Sequence, residues 1–269
     1  MHLPRGSAVA ATVVAMFFTT VQLELTRDPK VTRHCAGQDP EMTQGAYTDP
    51  ATGIDFTTWS ANPDSDGDGA FTFGLALPED AATRDATEYI GLLRCQIKSP
   101  DHTGWCGIAH GGSMVQDLLL MAWPYNNDSV LTSFRWATDY FPPDPYAGAG
   151  AGSTVVDQIS SWVNDTGYEL IYRCRGCLSW EQDGEEGAAN TTAGRLFLGH
   201  AQSFDAPGNA GCPAEMVVGF HDNGYGQWMA SLEGVAREEY EEWAALATQT
   251  VVDDCAAGAA TATVTAAAG

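Results

Sequence analysis

The sequence predicts an all-β fold, an antiparallel β-sandwich, from three observations. Runs of four to eight apolar and β-branched residues recur along the middle of the chain. Clusters of Gly, Pro, Asn and Asp separate them, and no helical pattern falls between consecutive runs. Short strands at such spacing bury one face each only by pairing into two packed sheets.

Taken in order, Phe71–Leu77 alternates aromatic or aliphatic residues with small or polar ones, the period of a half-buried strand. Tyr89–Cys95 and Leu118–Trp123 are further runs of strand length. Val130–Trp136 follows the turn signal Pro124-Tyr125-Asn126-Asn127, and Pro142-Pro143-Asp144-Pro145 ends the next connection. Glu169–Cys174 and Arg195–Ala201 complete the set. Near the end, Tyr240, Trp243 and Ala247 share one face at helical spacing, which predicts one short closing helix with Glu238, Glu239, Glu241 and Glu242 solvated.

The organisation around this core is read from composition. Residues 1–25 look like an export signal, with Arg5 before the apolar run Ala8–Phe18, though no small-x-small cleavage pattern follows. Residues 45–247 form one domain, since no linker interrupts Tyr47–Trp243, and 248–269 is an Ala/Thr-rich tail. A formal charge of −23, from 12 Lys and Arg against 35 Asp and Glu, argues against nucleic acid and anionic membrane surfaces. Secretion fits this charge, the seven cysteines and the sequons at Asn127, Asn164 and Asn190. Stable membrane insertion is not expected, because no apolar stretch reaches about 18 residues.

Several site-like patterns carry no chemistry on inspection. Asp64-Ser65-Asp66-Gly67-Asp68-Gly69 opens like a calcium loop but has Leu75 where a bidentate Glu is required. Gly148-Ala149-Gly150-Ala151-Gly152-Ser153 follows a Pro-rich turn, not the strand that a phosphate-cradling loop needs. Cys174-Arg175-Gly176-Cys177 precedes Leu178, not His, so it is no covalent haem-attachment motif. Trp59, Trp123, Trp180 and Trp228 leave open a sugar-stacking platform on a haem-free carbohydrate-binding module, with Trp123 and Trp180 better placed as core.

Two residues point elsewhere. Met114 lies in Gly111-Gly112-Ser113-Met114, and His221 in Gly219-Phe220-His221-Asp222-Asn223-Gly224. A thioether and an imidazole are the axial pair of haem iron in electron-transfer cytochromes. The surrounding segments Gly104–Met114, Asp117–Trp123, Ser133–Tyr140 and Tyr172–Trp180, in this order and spacing, resemble the b-type cytochrome domain of fungal cellobiose dehydrogenases and its stand-alone relatives.

The resemblance implies an immunoglobulin-like sandwich holding one haem b non-covalently, with Met114 and His221 as axial ligands. It implies Tyr140 near a haem propionate, with Arg135 a weaker candidate for the same role. His110 and Gly111 precede the Met ligand, where glycines allow close backbone approach to the porphyrin. Trp228 is a candidate cover for one haem face. The implied disulfides are Cys174–Cys177 and, flanking a polar loop, Cys95–Cys106; Cys35, Cys212 and Cys255 stay unassigned. The implied function is single-electron transfer to a copper polysaccharide monooxygenase. The donor would be a separate flavoenzyme or small reductant, since the chain carries no dinucleotide fingerprint. An extracellular ferric reductase shares the same haem and differs only in its acceptor.

Overall fold

A computed structural model describes residues 42–62, 68–97, 104–126, 129–148, 152, 154–249, 251 and 253–255. The export signal, Cys35, most of the acidic and Gly/Ala loops, the sequon at Asn127 and the tail past Cys255 lie outside the described residues.

Among the described residues fifteen strands are seen: β1 (Thr43–Thr48), β2 (Asp55–Ala61), β3 (Asp68–Pro78), β4 (Glu88–Ile97), β5 (Trp105–Ala109), β6 (Leu119–Tyr125), β7 (Ser129–Trp136), β8 (Asp144–Pro145), β9 (Val155–Asn164), β10 (Gly167–Arg175), β11 (Ser179–Gln182), β12 (Glu185–Ala188), β13 (Arg195–Ser203), β14 (Tyr225–Ser231) and β15 (Ala236–Arg237). One sheet runs β1-β2-β3-β4-β10-β9, with β15 added in parallel to β3. The other runs β14-β13-β5-β6-β7-β8, and β11 pairs with β12 in a separate hairpin. The sandwich expected from the sequence is the observed fold, with every strand of the main ladders antiparallel.

The two sheets face each other across a core that includes Phe71, Phe73, Leu93, Leu120, Trp136, Leu170, Leu198 and Trp228. Side chains alternate faces along each strand. Ile90 and Leu92 of β4 therefore turn outward beneath the helix α1 (Tyr240–Ala244), whose Tyr240 and Ala244 are buried there. The outer face of the second sheet is also covered. Trp105, Met121, Trp123 and Leu131 meet Met216 and Val218 from the long β13–β14 connection. Burying each such side chain contributes roughly 1.5–3 kcal/mol.

Three disulfides staple the fold. Cys95–Cys106 and Cys174–Cys177 are paired as expected, and Cys212–Cys255 answers the pairing the sequence leaves open. The third bridge keeps the chain on the domain past its helix. Gln249 pairs with Gln158, and Asp254 donates its N–H to the Gly211 carbonyl at 2.7 Å. Attachment thus extends beyond the expected end of the domain at residue 247. Asn164 and Asn190, the two described sequon asparagines, are exposed. Among the described residues no helix is long and apolar enough to cross a membrane.

Candidate functional site

A cavity of about 600 Å³ lies on the outer face of the second sheet, within the range of small-molecule and cofactor sites. Its floor follows from strand register. Gly107 of β5 pairs with Ala201 of β13, and Ala109 with Gly199. Flanking strands set large residues beside them, so one row across the sheet reads Met121, Gly107, Ala201, Tyr225. The next row reads Leu119, Ala109, Gly199, Gln227. Small side chains down the middle and large ones at the sides make a trough that accepts a flat ligand against the backbone. Glycine inside a strand commonly marks such an approach.

The other walls come from loops. Ser113 and Met114 come from the β5–β6 loop, Tyr140 to Pro143 from the segment after β7, and Val218 to His221 from the β13–β14 connection. The structure therefore brings Met114, His221 and Tyr140 onto one cavity from three separate parts of the chain. Tyr140 is strongly exposed, at 78%, and sits at the mouth with Phe141.

The β5–β6 loop is held from within by Asp117 and from outside by its neighbours. Asp117 is buried, and its carboxylate accepts the Gly111 N–H at 2.8 Å and the Ser113 N–H at 3.0 Å. The Gln227 side-chain amide donates to the Gly112 carbonyl. Gly112 has φ +87°, and a Cβ there would strike the Phe197 ring at 2.5 Å. A Cβ on Gly199 would meet the Gly112 oxygen at 2.7 Å. Expected close approach to a porphyrin is thus not the sole reason for these glycines. At Gly111 an added Cβ would instead meet Trp180 at 2.9 Å.

The His221 loop is pinned just as firmly. Asp222 accepts from the Ser203 hydroxyl at 2.9 Å and the Phe204 N–H at 3.1 Å. His221 packs between Phe220 and Tyr225, both ring centroids 4.6 Å away. Burial lowers its pKa, which favours the neutral imidazole that binds metals. Its Nδ1 is sealed from solvent, which leaves Nε2 as the nitrogen that could ligate.

Two expectations are corrected here. Arg135 does not line the cavity. Its buried guanidinium donates to the Ser133 hydroxyl at 3.0 Å and to the Pro213 carbonyl at 2.6 Å, anchoring the connection that carries His221. Trp228 is no cover for the cavity either. On β14, Tyr225 and Gln227 face outward, so Trp228 faces the inter-sheet core beside Phe73 and His200. Trp59, Trp123 and Trp180 are likewise buried, which removes the four-tryptophan sugar platform.

His110 points inward, away from the cavity. Its Nδ1 lies 2.8 Å from the Leu118 carbonyl and therefore carries the proton, leaving Nε2 to accept from the Tyr89 hydroxyl at 2.8 Å. Although His110 lies beside Cys174 and Cys177, those sulfurs are bonded to each other, and both ring nitrogens are engaged.

The buried titratable groups give a testable pH dependence. Burial pushes His110 and His200 each down to about 4. Between pH 6.5 and 4 the unfolded chain then binds more protons at both sites, so stability falls on acidification. Each histidine contributes about 3 kcal/mol, at 1.36 kcal/mol per pH unit. Asp117, pushed up to about 7 by burial, works in the opposite direction between about pH 4 and 7. The two histidines outweigh it below pH 6.5. Urea unfolding is expected to show a lower midpoint at pH 4.5 than at pH 6.5; a higher one contradicts the assignment.

Comparison with known proteins gives one consistent result. Residues 47–242 match the family model for the cytochrome domain of cellobiose dehydrogenase. The solved cytochrome domain of Myriococcum thermophilum cellobiose dehydrogenase is 47% identical, with a TM-score of 0.72, covering 78% of this chain and 98% of that one. The cytochrome b domain of pyranose dehydrogenase from Coprinopsis cinerea is 25% identical, with a TM-score of 0.61, over 77% and 97% of the two chains. A pyrroloquinoline quinone-dependent pyranose dehydrogenase of Coprinopsis cinerea is 32% identical over 157 residues, 57% of this chain and 19% of that protein.

Proposed function

The chain belongs to the cytochrome-domain family of cellobiose dehydrogenase, and from that premise we propose that it is a secreted electron carrier holding one non-covalent haem b between Met114 and His221. The observation that carries this reading is the meeting of the two donors on one trough-floored cavity. Bound haem b supplies a one-electron ferric/ferrous couple, and thioether with imidazole favours the ferrous form.

The chain's own residues do the rest. Met114 supplies the soft sulfur and His221 Nε2 the imidazole. With Met114 and His221 both holding the iron, no position would be left open for oxygen, which would suit transfer and not oxygen chemistry. The Gly/Ala floor and the apolar walls would exclude water from a bound haem, while the mouth at Tyr140 and Phe141 would leave a path for electrons to pass. Tyr140 would donate a hydrogen bond to a propionate. Among the described residues lining the cavity none is Lys or Arg, so a propionate charge would add to a chain already at −23.

In this reading the acceptor is a copper polysaccharide monooxygenase, and the donor is a flavoenzyme or a small reductant. Stopped-flow mixing of the ferrous protein with such a copper enzyme tests it. Reoxidation should be second-order and fast, and with an acceptor of net positive charge it should slow as ionic strength rises. Rates no faster than reoxidation by dissolved oxygen alone would reject this acceptor. A rate independent of salt would reject charge steering.

A further inference from the structure

We propose that Asp117 is the positioning residue for Met114, its buried carboxylate fixing the loop that presents the thioether to the iron; this rests on the haem reading above. The loop between β5 and β6 leaves the ladder at Ala109 and rejoins it at Leu119, so its intervening amides need partners from elsewhere. The His110 N–H to Leu118 carbonyl bond closes its base at 3.1 Å, and the Gln116 N–H reaches the Ala137 carbonyl at 2.8 Å. The Gly111 and Ser113 N–H groups, directly before Met114, both point at Asp117.

A carboxylate suits this place because it only accepts. Both of its oxygens lie 2.8 Å from the Gly111 nitrogen, and one also takes Ser113. Burial pushes this carboxyl up to about 7, and the N–H donors of Gly111, Ser113 and Leu118 act against that by favouring the ionised form. Hydrogen bonds to an ionised acceptor are about twice as strong as neutral ones. The clamp also has little freedom to yield: Asp117 is 2% exposed, and Gly112 is wedged between Phe197 and Gly199. Met114 thus projects from a turn whose two preceding amides are fixed by one side chain.

The test compares the full haem-loaded chain with Asp117→Asn, which keeps the shape but turns an NH₂ donor toward a backbone donor. Asp85→Asn is the control: Asp85 also accepts a backbone N–H, that of Thr192 at 2.8 Å, but lies outside the cavity. Carbon monoxide competes with Met114 for ferrous iron, so its binding rate reads how firmly the thioether is held. Asp117→Asn should bind it about tenfold faster, the factor one charge-assisted hydrogen bond is worth. Asp85→Asn should match the unmodified chain.

Equal rates for Asp117→Asn and the unmodified chain would overturn the proposal. Amide hydrogen exchange in the unmodified haem-free chain decides it independently if the variant fails to fold. Gly111 and Ser113 should exchange as slowly as the β5 amides, and fast exchange at both overturns the clamp. A chain that never develops a haem spectrum would sink the haem reading instead, while the exchange result would still stand.

Discussion

His221→Ala is expected to convert a six-coordinate, low-spin haem into one with an open axial position and to loosen its hold on the protein. In the proposed arrangement the imidazole is one of two protein bonds to the iron, and no covalent link would replace it: Cys174 and Cys177 are bonded to each other. Losing an outer-shell partner of a metal ligand already costs 10- to 100-fold in affinity. Loss of the ligand itself should therefore cost about 100-fold or more. Transfer of haem to an excess of apomyoglobin measures this directly. The variant should also acquire peroxide reactivity, because a site normally closed by protein becomes free. Retention of a low-spin spectrum and slow transfer would place the ligand elsewhere.

Met114→His should do the reverse, keeping the haem but changing its potential. A second imidazole fills the axial position, so the spectrum should stay low-spin. The thioether's preference for ferrous iron is lost, and the potential should fall by on the order of 100 mV, inside the span of about 0.8 V that axial ligands cover. Transfer to a copper acceptor would gain driving force, while reduction by a mild donor would slow. Spectroelectrochemical titration reads the shift. An unchanged potential would remove Met114 from the iron. Met216 and Met229 serve as controls: Met216, in the β13–β14 connection, is buried beside Trp105 and Trp123, and Met229 is exposed on β14.

The strands that alternate or run apolar, such as Phe71–Leu77 and Val130–Trp136, were legible because burial imposes its period on them. Thr43–Thr48 was not: it is an edge strand, exposed at nearly every position, so nothing apolar marks it. The closing helix was legible from Tyr240, Trp243 and Ala247 because it covers the outer face of a sheet. Cys212–Cys255 was hidden because 43 residues separate its halves.

At the site, Met114 and His221 stood out as chemistry without a core role. Gly107, Ala109, Gly199 and Ala201 were passed over, although small residues two apart in strand-like runs are a signal that a ligand lies close. Arg135 shares the cavity's face of its sheet with Leu119 but misses the cavity because its guanidinium is held by Ser133 and Pro213; Trp228 turns inward for a different reason. Which face of a strand a residue occupies depends on register, and register is fixed by partners far along the chain. Asp117 carried no motif, because its partners are backbone amides.

The central claim is that one iron is held between Met114 and His221, and the absorption spectrum of the haem-loaded chain beside its Met114→Ala variant tests it most directly. The unmodified protein should show a sharp Soret band and narrow α and β bands on reduction, with Met114→Ala losing the narrow bands. A colourless chain that takes up no haem, or a Met114→Ala variant with an unaltered reduced spectrum, would contradict it.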